Sequence, residues 1–313
     1  MIEFILQTVI LPVTLSTLFL LLPRFAWSVE SNQRIEVWSA APALAFTAIL
    51  SLYMVEGPEI WQLTQKWNYL WVTALILALG GAMTTLSYRK KNVGFTYVPK
   101  HARTFILIAT SAIAIFVLQF PNQADFFTRI FMAVIASIAT LLMSRPARSG
   151  PITTPAAFCI SLATIAVLLL VSGSMKVALV ALSLSLTSGI CALLASHSRG
   201  FSGGASFAMT AMTLSIALGL YGMSYHNNAN VASFSWFSIP LIPILLCVTN
   251  RFRSKNVAVI AITMILILCG TLAFLALRAS QSERLESGNS TPYTLRNDSR
   301  TFPKNLASSI LWK

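Results

Sequence analysis

Ten apolar runs of about twenty residues each leave this chain little choice of solvent. They lie at about 4–23, 38–56, 69–87, 103–120, 126–143, 153–172, 176–196, 205–224, 232–249 and 257–277. A helix rises about 1.5 Å per residue, so roughly twenty apolar residues match the ~30 Å hydrocarbon layer of a bilayer. Lipid offers the backbone no hydrogen-bond partners, so each crossing segment must satisfy its own N–H and C=O groups. The runs are continuous and lack the alternation of barrel strands. The fold expected is all-α: a polytopic helical membrane bundle of about ten transmembrane helices. Only 10% of the residues are charged, against about 25% in soluble domains, too few to coat a water-facing surface. Residues 1–277 form the transmembrane domain on this reading. Residues 278–313, rich in Ser, Thr, Asn and charge, form a polar tail expected to be disordered, with "SSILW" as a short contact.

Lys and Arg in the short connections give the expected orientation. The odd-numbered connections hold 13: Arg24, Arg34, Arg89, Lys90, Lys91, Lys100, Arg103, Arg145, Arg148, Arg199, Arg251, Arg253 and Lys255. The even-numbered ones hold three: Lys66, Arg129 and Lys176. The basic loops 24–37, 88–103, 144–151, 197–204 and 250–256 are therefore expected in the cytoplasm, with both termini outside. A bacterial cytoplasmic membrane is the simplest home, and the lipid bilayer the first partner. The opening run carries Glu3 where a signal peptide has basic residues, and reads as a spanning helix. The sequons at Asn289 and Asn297 matter only in a eukaryotic secretory membrane.

The net charge of +13 does not imply nucleic acid, because the basic residues are scattered between apolar runs and form no dense face. Cys159, Cys191, Cys247 and Cys269 sit inside apolar runs without CxxC spacing, so they read as small buried residues. Three histidines, all expected in connections, give no basis for a metal or heme site, and no cofactor is expected. In the second connection, Trp61, Trp67 and Trp71 suit the headgroup layer, where amphipathic rings anchor.

Charge within membrane helices is expensive and usually functional. No Asp, Glu or His falls at the middle of any run. Asp125 and Arg129, spaced i,i+4 at the start of the fifth run, can hydrogen-bond and read as a local pair, with gating as the alternative. "GFSGG" at 200–204 matches G-x-S-x-G and resembles the G-x-S-G of the rhomboid intramembrane proteases. That resemblance covers four or five residues and implies Ser202 as a nucleophile, hence an intramembrane serine hydrolase. The base would have to be His226, which lies beyond a helix rising about 30 Å, or His197 in the same connection.

The remaining polarity is neutral. Ser183, Ser185, Thr187 and Ser188 crowd the seventh run, and Thr210, Thr213 and Ser215 the eighth. Such hydroxyls let helices pack closely and bond across an interface, or they line a polar pathway. In the ninth run, Pro240 and Pro243 each remove a backbone donor and should break the helix near its middle. Pro12 and Pro42 predict weaker kinks. Broken helices form substrate sites in many transporters. The sequence therefore points to a permease for a neutral or lipidic solute, with Pro240, Pro243, Ser183, Thr187, Thr210 and Thr213 along its pathway. The alternative is a non-catalytic membrane subunit or scaffold that packs against other membrane subunits.

Overall fold

The computed structural model describes residues 2–26, 35–36, 38–63, 68–86, 100–118, 126–197, 201–225, 233–249 and 255–289. The described chain is almost entirely helical. In chain order the helices are α1 (residues 2–26), α2 (Ala40–Glu56), α3 (Tyr69–Leu86), α4 (Lys100–Val117) and α5 (Phe126–Ser149). They continue as α6 (Thr153–Val171), α7 (Met175–His197), α8 (Gly204–Tyr225), α9 (residues 233–249) and α10 (Lys255–Asn289). Each apolar run has become one helix.

Seven helical segments are long and apolar enough to cross a bilayer. The third, fourth and ninth runs supply shorter apolar helices, Tyr69–Thr85, His101–Val117 and Phe234–Leu245. Seventeen helical residues span about 26 Å, a few ångströms short of a typical hydrocarbon layer. The chain is a multi-pass helical membrane protein. α10 continues to Asn289, past the end of its apolar run, and residues 290–313 lie outside the described residues.

α8 is the axis of the bundle. It packs against α2, α3, α4, α5, α6 and α9, while α7 packs on α6 and α2. α1 covers α2 and α7, and α10 lies against α6 and the end of α9. Close approach to α9 needs glycine: a β-carbon at Gly219 would come within 2.5 Å of the Trp236 carbonyl, and one at Gly222 would strike the Trp236 ring. Two cross-links tie the ends. A two-residue parallel ladder pairs Ile35–Glu36 (β1) with Phe201–Ser202 (β2), joining the α1–α2 and α7–α8 connections on one face. Lys176 meets Glu56 on the other.

Prolines set the internal breaks, and neighbouring helices answer them. A proline lacks the N–H that would bind the carbonyl four residues earlier. Pro12 deprives Thr8 in this way, and a π turn at Leu6–Ile10 lies just ahead of it. Ser51 Oγ of α2 donates to the Thr8 carbonyl at 2.9 Å. Pro146 in α5 deprives Leu142, whose carbonyl accepts Cys247 Sγ of α9 at 3.1 Å. Pro243 deprives Ile239, whose carbonyl accepts Ser161 Oγ of α6 at 2.8 Å. α9 itself passes from α-helix (Ser233–Leu241) to a 3-10 turn (Ile242–Leu245) and back at Leu246–Thr249. Pro42 makes no kink, because it falls in the first turn of α2, where no intrahelical partner is lost.

Candidate functional site

One group of buried polar side chains lines a seam between two helices. α2 and α7 run antiparallel, and three pairs of side chains bridge them. Glu56 meets Lys176 at 2.5 Å at the end of the seam. One step inward, Ser51 Oγ lies 3.2 Å from Ser183 Oγ. One turn deeper, Thr47 Oγ1 lies 3.1 Å from Thr187 Oγ1. The spacing follows from helix geometry: 47 and 51, like 183 and 187, are four apart and share a face. α1 closes the third side. Ser16 Oγ accepts a hydrogen bond from Thr47 at 2.8 Å, and the Thr8 carbonyl accepts from Ser51.

All these hydroxyls are fully buried, and each has its hydrogen bonds inside the protein. In the two inner rungs either oxygen can donate. Each hydroxyl also has a back-up acceptor on its own helix or on α1: the Ala43 carbonyl for Thr47, the Ser183 carbonyl for Thr187, the Leu179 carbonyl for Ser183, the Thr8 carbonyl for Ser51. The rungs can therefore part without leaving a buried donor unsatisfied. At the end of the seam, Glu56 is nearly buried, with 6% of its side chain exposed, whereas the Lys176 side chain is 61% exposed. The pair keeps an acidic group paired where α2 enters the apolar layer, and its lysine reaches toward solvent.

The structure places the sequence-predicted residues in three groups. Ser183 and Thr187 are members of the seam. Thr213 of α8 belongs to a second cluster, 2.8 Å from Ser111 of α4, which also accepts from Thr140 of α5 at 3.1 Å. Thr210 donates to the Ser206 carbonyl of its own helix at 3.1 Å. Pro240 and Pro243 are buried in α9, and the Ile239 carbonyl that Pro243 frees is held by Ser161. Sequence reasoning missed Thr47, Ser51, Ser16 and Ser161. Their signal was present, since each is a hydroxyl in an apolar run, but nothing in the sequence shows which distant helix it faces.

The remaining predicted residues stand apart. Ser202 is buried on β2, and no hydrogen bond to its hydroxyl occurs among the described residues. His197 turns its Nδ1 to Ser196 and the Leu193 carbonyl of its own helix, and His226 lies outside the described residues. Asp125 also lies outside the described residues. Arg129 is half-buried in the first turn of α5. Among the described residues no three His, Cys, Asp or Glu side chains gather as a metal site requires. Trp61 packs edge-on against Trp71 at 5.2 Å between ring centroids, and Trp71 Nε1 donates to the Ile60 carbonyl. Trp67 lies outside the described residues.

No protein-family model matches this chain, and comparison with curated proteins and with solved structures finds no match either.

Proposed function

We propose that this multi-pass membrane protein is a permease for a neutral or lipidic solute, and that the α2–α7 seam is the line along which it opens. The observation that carries the reading is the seam itself: a column of uncharged hydroxyls in the bundle core, bonded to one another in pairs that can exchange donors. Opening such a column costs about a hydrogen bond per rung, on the order of 1 kcal/mol each, and a solute hydroxyl or headgroup replaces it. A seam of charges would cost far more to part in lipid. Broken helices mark solute sites in many transporters, and α9, with its Pro240/Pro243 break, packs on the same central helix α8.

The orientation that belongs to this reading puts the basic connections in the cytoplasm of a bacterial cell, both termini outside and all ten helices across the membrane. The Glu56–Lys176 pair then closes the seam from outside.

The test is flux in proteoliposomes. Two probes cover the two solute types: glycerol, read by vesicle swelling, and a fluorescent short-chain phosphatidylcholine, read by quenching. In a cysteine-free background, Thr47→Cys with Thr187→Cys forms a disulfide that locks the seam. Flux of at least one probe should fall on oxidation and return on reduction. Flux no greater than in protein-free vesicles, or flux indifferent to the cross-link, contradicts the reading. Pro240→Ala and Pro243→Ala in the same assay ask whether the α9 break takes part.

A second reading is a non-catalytic membrane subunit. It draws on α10, which shows a broad apolar face that no other helix covers among the described residues. Mild extraction from native membranes separates the two: a stoichiometric membrane partner favours the subunit, and a protein that elutes alone favours the permease.

A further inference from the structure

A single helix, α1, covers the third side of the α2–α7 seam. It packs on α2 and α7. Its outward face, with Leu6, Ile10, Leu11, Leu15 and Leu18, is exposed, and its apolar span is only 33% buried. The seam therefore lies one helix away from lipid.

α1 is held unevenly. At one end Leu20 joins the main core, and Ser39 Oγ donates to its carbonyl at 3.4 Å. Toward the Glu56–Lys176 end, Val9 and Val13 instead pack with Leu179 as a small cluster apart from that core. The backbone is also weakest there. A π turn spans Leu6–Ile10, and Pro12 takes from the Thr8 carbonyl its usual donor. Ser51 and Ser183 reach that carbonyl instead, at 2.9 and 3.4 Å.

The bonds between α1 and the seam come from neutral hydroxyls that keep partners without it. Thr47 has the Ala43 carbonyl, Ser183 the Leu179 carbonyl and Ser51 the Ser183 hydroxyl. The other way in runs past the Glu56–Lys176 pair at the end of the seam. Parting that pair strands a nearly buried carboxylate, which costs far more than parting neutral hydrogen bonds. The cheaper way in is sideways, from lipid, and what arrives from there is an amphiphile. It meets hydroxyls and a carbonyl, so its headgroup is matched by hydroxyls and not by charge.

We infer that α1 is a lateral lid over the seam. It swings away at its Glu56 end, pivots near Leu20, and admits an amphiphile with an uncharged, hydroxyl-bearing headgroup, such as a glycosyl diacylglycerol. The inference rests on the permease reading and gives it a substrate class.

The experiment uses the full-length, cysteine-free protein in vesicles and reads the lid separately from flux. Nitroxides at Leu6 on α1 and Leu186 on α7, both exposed, report their separation by double electron–electron resonance. Two separations are expected, and added glucosyl diacylglycerol should enlarge the longer population. One separation that the lipid leaves unchanged overturns the lid, whatever the flux. The flux arm uses Val9→Cys with Leu179→Cys, two members of the small cluster, bridged by a short reducible bis-methanethiosulfonate. Every seam hydroxyl stays in place. Passage of a fluorescent short-chain glucosyl diacylglycerol, read by quenching, should be lost on bridging and return on reduction. If flux ignores this bridge but stops with the Thr47–Thr187 disulfide, the permease stands and the lid is wrong. Phosphatidylcholine carried as fast as the glucosyl lipid overturns the headgroup assignment. If no lipid crosses although the two separations respond to it, the permease reading fails and the lid stands as the entry to a binding seam.

Discussion

α8 and α10 are both apolar helices long enough to cross a bilayer, and they meet opposite fates. In α8, 94% of the apolar span is buried, while in α10 only 17% is. The more polar helix is the one inside. α8 carries Ser206, Thr210, Thr213 and Ser215, all fully buried, together with the glycines that admit α9. α10 shows Val259, Ile260, Met264, Ile267 and Phe274 on its surface. In water this arrangement would be inverted, because burial follows apolar area. In lipid the tails are as apolar as leucine, so hydrophobicity does not drive helices together. Small residues and hydroxyl bonds do.

The largest effects should come from glycines. Gly222→Leu drives a side chain into the Trp236 ring and should lower stability by about 3 kcal/mol or more, read as a drop in melting midpoint and yield. Gly270→Leu on α10, where a β-carbon meets nothing within 4 Å, should change stability by less than about 0.5 kcal/mol. Equal losses at the two sites would break the contrast between the helices. Next in size is Ile267→Lys. This side chain is 57% exposed, so in a water-soluble protein the change would be nearly neutral. In lipid it should cost about 2–3 kcal/mol, measured as reduced membrane insertion.

Smaller effects sharpen the account of what seals the core. Ser161→Ala strips the Ile239 carbonyl of its donor and should cost about 1–3 kcal/mol. Pro243→Ala restores an N–H to that carbonyl, so in the double variant much of the loss should disappear. A melting-based double-mutant cycle with strict additivity would show that the proline and the serine are unrelated. The same cycle at Cys247 and Pro146 should give less than about 1 kcal/mol, because a thiol is a weak donor.

The apolar runs were legible because length and continuity are local properties, and each run became a helix. The α9 break was legible for the same reason: two prolines three positions apart act on their own turn. Pro42 misled because its position relative to the helix start decides its effect, and that start lies only two residues before it. What faces what was not legible. Thr47 meets Thr187 across 140 residues, and Ser161 meets Ile239 across 78. An isolated hydroxyl in an apolar run reads the same whether it bonds to its own turn, as Thr210 does, or to another helix, as Thr213 does. The order of burial was not legible either: among the seven long spans, the most apolar, on α10, is the most exposed. The two-residue ladder between β1 and β2 leaves no periodicity to detect.

The most direct test of lipid as the solvent is an accessibility scan along both helices. Single nitroxide labels at 257–275 on α10 and 204–223 on α8, in a cysteine-free protein reconstituted in vesicles, would be probed with oxygen and with a polar nickel chelate. Oxygen should collide strongly with labels at Val259, Ile267 and Phe274 while the chelate does not, and neither should reach the α8 positions. Strong chelate collisions at the exposed α10 positions would mean that this face meets water, and the inside-out reading of the bundle would be wrong.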